Sequence, residues 1–355
     1  MICKNRCLVV LTFVIFFLGA AAFAQQLPEL PRAALEHAIA IQERYTDDLM
    51  ADPEVVGTGV GVGANGQAVI KVFVKRGQLA GLRGSLDGIP VVTQVTGEIV
   101  ALKGPPENVG GGGGGGGGGV DPTARFARPV PIGVSTGHPD ITAGTIGARV
   151  TRGTNVYALS NNHVYADENT ASPGDAVIQP GTFDGGSSPA DDIGTLDDFQ
   201  PIVWCPPTII WPFYSCTGIE NKFDAAIVLS STSLLGNATP SDGYGTPQST
   251  TVPPRVRMRV KKYGRATSQT KGRVDAIHAI VDVRYDSGVA RFVDQIIIVP
   301  GSFSAGGDSG SLIVVEKGSD ADKPVGLLFA GSTTITVASP IDPILARFSV
   351  TVDGP

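Results

Sequence analysis

GSFSAGGDSGSLIVV, residues 301–315, places Ser309 in a turn, Gly306-Gly307-Asp308-Ser309-Gly310, that runs straight into the apolar strand 312–315. Glycine lets a backbone turn tightly enough for two N–H groups to aim at one point. Here the groups would be those of Gly307 and Ser309, and the point is where a tetrahedral oxyanion forms beside the serine. Such preorganised donors contribute about 3–4 kcal/mol each to a transition state. An ordinary turn before a strand also uses Gly, Asp and Ser, but the full string is much rarer, so Ser309 is read as a nucleophile.

A serine nucleophile needs a base, and the chain has four histidines, His37, His138, His163 and His278. His37 falls in a helical pattern, His138 before a proline in a polar turn, and His278 inside the apolar run DAIHAIVDV; all three read as packed or solvent-facing. His163, in LSNNHVYA, ends a strand-like segment and precedes an acidic loop, which makes it the candidate base. Asp224 in NKFDAAIVLS opens an apolar strand, where a carboxylate needs a partner such as a histidine N–H. The competing acids Asp191, Asp192, Asp197 and Asp198 lie in PADDIGTLDD, read as a solvated loop with calcium as a lesser alternative. The order His, Asp, Ser excludes the α/β-hydrolase arrangement, and Ser311 breaks the Gly-x-Ser-x-Gly elbow. Residues this far apart in sequence suit a triad assembled between two barrels.

The strings LSNNHV, FDAAIV and GGDSGS resemble those of the trypsin-like, chymotrypsin-fold serine endopeptidases over about residues 127–350. With PIGVSTGH, TAGTIGARV, IQPGTFDGG and VGLLFAGS added, the chain looks like a bacterial relative of the plant narrow-leaf trypsin-like proteins. The resemblance implies Ser309 as nucleophile, His163 as base and then acid, Asp224 as its orienter, and Gly307 with Ser309 as oxyanion donors. It also implies a chymotrypsin-like double β-barrel, peptide hydrolysis through an acyl-enzyme, a polypeptide substrate and no cofactor or metal. Three departures stand out. Val164 occupies a site where the family has a cysteine beside the catalytic histidine. Phe329, in the strand GLLFAG that resembles the substrate-aligning strand, stands where a serine usually helps hold the aspartate, so Asp224 needs another donor. No activation site offers Asp308 a new N-terminus, so activation by that insertion is not expected. Phe303, Ser304, Phe329 and Gly331 are the candidate substrate contacts, and the neutral Ser302, Phe303 and Ser304 suggest an apolar or small side chain at the cleaved bond. A noncatalytic binding module on the same scaffold and an esterase-like acyl hydrolase are the alternative readings.

Outward from this centre, short apolar runs recur between Gly, Pro, Asn and Asp from residue 128 onward, among them 145–150, 156–159, 225–229, 274–283, 295–299 and 325–330. Helical periodicity is nearly absent until 344–348, so the expected class is mainly β. Before it, residues 31–50 read as an amphipathic helix, and VVGTGVGVGANGQAVIKVFV as a hairpin turning at Ala64-Asn65-Gly66. A further strand is expected over 91–102. These make a small α/β domain over 25–108. Ten successive glycines, 110–119, lie in an expected linker, 109–126, with a reach of about 18 Å.

Residues 1–24, with Lys4 and Arg6, an apolar stretch and Ala22-Phe23-Ala24, read as a signal peptide, which places the product in a secreted or periplasmic setting with no stable membrane insertion. Cys3 and Cys7 leave with it, so Cys205 and Cys216 are expected as a disulfide, closing a loop that with its edge carries Trp204, Trp211, Phe213 and Tyr214. The 355 residues carry 27 basic and 33 acidic side chains, a net charge of −6, with no basic cluster. That composition argues against nucleic acid as a partner.

Overall fold

The computed structural model describes residues 30–77, 79, 81–102, 104, 119–208 and 214–355. The expected signal peptide, the glycine run as far as Gly118, and Trp211 and Phe213 lie outside the described residues. Among the described residues no helix is long and apolar enough to cross a membrane.

The chain is mainly β, with two large sheets and three α-helices among the described residues. The smaller of the two runs antiparallel through Ala176–Ile178, Asp192–Phe199, Ala226–Ser230, Asn155–Ser160, Ala148–Arg152 and Thr351–Val352. The larger sheet passes through Arg259–Gly264, Leu312–Val315, Pro324–Gly331, Thr336–Pro340, Val289–Val299 and Ser268–Arg284. Arg259–Gly264 also pairs with Ser268–Arg284, so these six strands form a closed ring of pairings. Runs such as Ile296-Ile297-Ile298 are buried on consecutive residues because both faces of their strand meet protein.

Between the two sheets lies one apolar cluster. Ala148, Leu159, Ala225 and Ile227 from one sheet meet Leu312, Val314 and Leu327 from the other. The helix Ile341–Phe348 joins it through Ile344, Leu345 and Phe348. Burial of this cluster sets the two sheets against each other, and the strands it holds carry His163, Asp224 and Ser309 at or near their ends.

The N-terminal helix is Arg32–Met50, and it packs on the expected hairpin, Val55–Val62 with Ala68–Val74. Gln42 Nε2 donates to Thr58 Oγ1 at 2.7 Å, and Thr46 and Thr58 share a hydroxyl bond at the same distance, so the Gln42 amide NH₂ and both hydroxyls find partners on the buried helix face. The hairpin does not stand apart. Its first strand pairs antiparallel with Ser268–Arg284, Gly57 opposite Val281 and Thr58 opposite Ile280. A Cβ at Gly57 would lie 2.6 Å from the Ile280 carbonyl oxygen, which accounts for a glycine in this otherwise β-branched alternation. Arg291 binds both Asp282 and Asp47, tying the helix to the larger sheet.

Two expectations need correction. The strand expected over 91–102 is two strands, Ile89–Val95 and Val100–Ala101, because Gly97 takes φ +77° and turns the chain between them. The acidic stretch read as a solvated loop is largely the strand Asp192–Phe199, and Asp191, Asp197 and Asp198 pair with Arg125, Arg152 and Arg347. The arginines lie far away in sequence, and their approach is what allows the acids to sit at a sheet.

Cys205 and Cys216 form the expected disulfide, with Cα atoms 4.7 Å apart. Cys205 N–H donates to Val289 O at 2.8 Å, so the bridge is anchored to the larger sheet. Closing a loop of this length contributes about 3 kcal/mol, less whatever the loop's prolines have already removed from the unfolded chain. Cys205→Ser should therefore lower the melting temperature and raise protease sensitivity while changing turnover little. Differential scanning calorimetry beside steady-state assays checks this, and an unchanged melting temperature contradicts it.

Candidate active site

His163 lies in a one-turn helix, Asn162–Tyr165, that follows the strand Asn155–Ser160. Asp224 lies two residues before the neighbouring strand Ala226–Ser230, whose pairing sets Ala226 opposite Ser160. This register brings the two side chains together: His163 Nδ1 lies 2.5 Å from Asp224 Oδ2, and the His163 backbone N–H donates to Oδ1 at 3.3 Å. Both residues are wholly buried. His163 Nε2 has no hydrogen-bond partner among the described residues. An imidazole held at Nδ1 by a carboxylate keeps its proton there and leaves Nε2 as a base.

The donor that Phe329 cannot supply comes from Tyr285, whose hydroxyl donates to Asp224 Oδ2 at 2.9 Å. Burial, then the charge of Asp224, push the Tyr285 phenol well above its ordinary pKa, so it stays a donor. Trp204 packs edge-on to Tyr285 with ring centroids 5.3 Å apart, and Tyr285 lies 5.8 Å from the His163 ring. Trp204, adjoining the disulfide, thus backs the ring that holds Asp224. Tyr285 closes a separate hairpin from Asp224, so no local sequence signal linked them.

Ser309 is wholly buried on a turn in which Gly307 has φ +96° and Gly310 φ +92°. Its Oγ donates to Phe329 O at 3.1 Å, while its carbonyl accepts from Thr145 N–H at 2.8 Å. The Ser309 and His163 turns converge on Gly144: a Cβ there would meet Val164 Cγ2 at 2.5 Å and Ser309 O at 3.1 Å. His163 and Asp224 are therefore joined directly, whereas Ser309 meets the His163 turn across Gly144 and bonds its hydroxyl to Phe329 O.

Asp308 finds its cation inside the fold. Lys262 Nζ lies 3.1 Å from Asp308 Oδ2, and both side chains are fully buried. Thr267 Oγ1 and the N–H groups of Ala266, Thr267 and Ala305 also donate to Asp308, fixing the turn that carries Ser309. Along Arg259–Gly264, Val260 and Lys262 share the inward face, and a lysine at an inward position was the available signal. Lys262→Met would strand a buried carboxylate and should cost about 3–5 kcal/mol. Denaturant unfolding measures this, and Lys262→Met/Asp308→Asn should recover much of the loss.

Three of the four substrate contacts proposed from sequence, Phe303, Phe329 and Gly331, lie against a short segment of the N-terminal part. Val100–Ala101 pairs antiparallel with Pro324–Gly331, Ala101 opposite Ala330 and Val100 opposite Gly331. Leu102 N–H donates to Phe329 O at 3.2 Å, and Leu102 O accepts from Gly307 N–H at 2.7 Å. Phe303 and Leu102 belong to one apolar cluster. Ser304 instead shares a hydroxyl bond with Thr336, and the Phe329 ring packs on Phe292 at 4.7 Å, so the Phe329 contribution to the cleft is its carbonyl.

The other histidines lie elsewhere. His37 is exposed, His138 is buried beside Asp140 and Asp175, and His278 pairs with Asp294, whose hydrogen bond holds it above its ordinary pKa. No group of three or more His, Cys, Asp or Glu that could hold a metal occurs among the described residues.

Comparison with protein families matches residues 221–338, a third of the chain, to the Nal1 C-terminal domain. That span includes Asp224 and Ser309 but not His163. No curated protein matches the chain. Among solved structures, it is similar to a glutamic-acid-specific serine protease described as using a histidine triad in substrate binding, at 20% identity over 63% of this chain and 100% of that one, TM-score 0.43. It is also similar to Thermobifida fusca protease A, at 16% identity over 64% and 100%, TM-score 0.42. A third is the Cellulomonas bogoriensis chymotrypsin, at 16% identity over 64% and 99%, TM-score 0.41.

Proposed function

We propose that the chain is a serine endopeptidase of the chymotrypsin-like, double-barrel type, hydrolysing peptide bonds through an acyl-enzyme. The observation that carries this reading is the buried His163–Asp224 pair, with Nδ1 committed to the carboxylate and Nε2 unpartnered among the described residues. In this reading Ser309 Oγ turns from Phe329 O to His163 Nε2 and attacks the substrate carbonyl carbon as Nε2 takes its proton. The N–H groups of Gly307 and Ser309 receive the developing oxyanion. Imidazolium, stabilised by Asp224, returns the proton to the leaving amine, and water repeats the sequence on the ester. The 910 Å³ cleft between the N-terminal helix and the disulfide loop is lined by none of the three proposed triad residues.

A fluorophosphonate tests the assignment directly, because it phosphonylates only a serine activated by a base. Labelling confined to Ser309, abolished by His163→Ala, is the expected result. Absence of labelling in folded protein from which the segment over the site has been removed supports the binding-module alternative. Cleavage of an unfolded polypeptide separates peptidase from esterase.

A further inference from the structure

We propose that residues 100–102 are the protein's own substrate segment, and that Ser309 cleaves the peptide bond after Leu102. The inference rests on the proposed peptidase reading and adds to it a self-processing site and the side chain that the specificity pocket takes.

Three contacts in register carry it. Val100, Ala101 and Leu102 run antiparallel past Gly331, Ala330 and Phe329, adding a strand to the edge of the site. Leu102 N–H is bound by Phe329 O at 3.2 Å. The Leu102 carbonyl oxygen accepts from Gly307 N–H at 2.7 Å, where a scissile carbonyl must be polarised beside Ser309. A loop packed on the cleft only to fill it has no reason to place one carbonyl on that donor with the preceding residues extended along the strand.

The side chain fits as well. Leu102 is 3% exposed, in an apolar cluster with Phe303, Val274 and Leu328. A Cβ at Gly331 would stand 3.3 Å from Leu102 Cδ1, so the missing side chain at 331 leaves space for a leucine. Gly104 also lies against the turn of Ser309: its carbonyl oxygen is 3.3 Å from where a Cβ of Gly307 would be. In the uncut chain this segment covers the centre, and His163, Asp224 and Ser309 have no exposed surface.

The reaction balances with water alone. Ser309 Oγ forms an ester with the Leu102 carbonyl carbon while its proton passes to His163 Nε2. The bond to the nitrogen of Lys103 breaks as His163 protonates that nitrogen. Water, deprotonated by His163, then hydrolyses the ester, leaving a Leu102 carboxylate and a Lys103 amine, and restoring Ser309. The N-terminal product remains paired through Val55–Val62 to Ser268–Arg284, so leaving the cleft requires only the short segment to move.

The test is intact mass and N-terminal sequencing of protein purified from expression of the full chain, beside hydrolysis of an acyl-leucine p-nitrophenyl ester. Wild type should give one fragment ending at Leu102 and another beginning at Lys103, and Ser309→Ala a single uncut chain. Leu102→Ala should slow the cleavage at least 10-fold, since removing apolar groups from a fitted pocket costs that much in specificity. Leu102→Asp should leave the bond uncut yet react with fluorophosphonate faster than uncut wild-type-sequence chain trapped early in processing. Wild type that hydrolyses the ester while the bond after Leu102 stays whole overturns self-processing and spares the peptidase reading. Wild type lacking both activities, with the Leu102→Asp chain folded and unlabelled, removes both. Equal cleavage of the Leu102→Asp chain after position 102 overturns the assignment of the pocket.

Discussion

Ser309→Ala is expected to lower kcat toward a small acyl-leucine ester by about 10⁶-fold, with the melting temperature within a few degrees of wild type. The size of the effect follows from the site's construction. Ser309 contributes the only hydroxyl on a turn fixed by the Lys262–Asp308 pair, and that turn does not depend on its Oγ for position. The hydroxyl makes one hydrogen bond, to Phe329 O, so its removal costs folding little. His163 and Asp224 remain paired but have nothing to deprotonate. Because the variant also cannot process itself, the same comparison is made on a Leu102→Asp background, where the segment no longer covers the site. Steady-state kinetics with calorimetry decides it, and wild-type turnover in that double variant would falsify the triad.

Asp224→Asn should reduce kcat by about 10⁴-fold, the magnitude of the same substitution in a Ser-His-Asp triad. Asp224 accepts from His163 Nδ1, from the His163 backbone N–H and from the Tyr285 hydroxyl, three donors on one carboxylate. Asparagine keeps one oxygen and turns an NH₂ toward a remaining partner. With its oxygen kept on the His163 backbone N–H, the NH₂ takes the place of Oδ2 and faces both Nδ1 and the Tyr285 oxygen, which must now accept, so imidazole must carry its proton on Nε2. The nitrogen that should take a proton from Ser309 is then protonated already. Raising the pH lets hydroxide take the serine proton in place of the imidazole, so the defect should shrink in alkaline buffer, whereas a defect from misfolding would not. The measurement is a pH profile of kcat beside near-ultraviolet circular dichroism. A loss under tenfold with native spectra would show that Asp224 does not orient His163.

The strings around His163, Asp224 and Ser309 were legible because each obeys a local rule: glycines around a tight turn, a carboxylate opening an apolar strand, a histidine at a strand end. Leu102 carried no such signal. In sequence it closes an apolar run that reads as any strand, and only Gly307 N–H and Phe329 O, more than 200 residues later, distinguish its carbonyl and amide from others. Tyr285 was equally silent, since a tyrosine ending a strand is ordinary until its hydroxyl meets Asp224. Lys262 gave a partial signal in the inward phase of its strand, but its partner required the sheets to be assembled.

Local patterning by itself determined that this protein is mainly β, that a helix and hairpin precede that body, and that a serine lies on a glycine turn. Period-two burial and tight-turn stereochemistry act over a few residues, so they can be read from neighbours alone. Tertiary structure decided which carboxylate meets His163, which cation neutralises Asp308, and what lies against Gly307. Those choices are settled when two sheets bury a shared apolar cluster, which brings distant donors and acceptors to within 3 Å of one another and makes an unpaired one expensive.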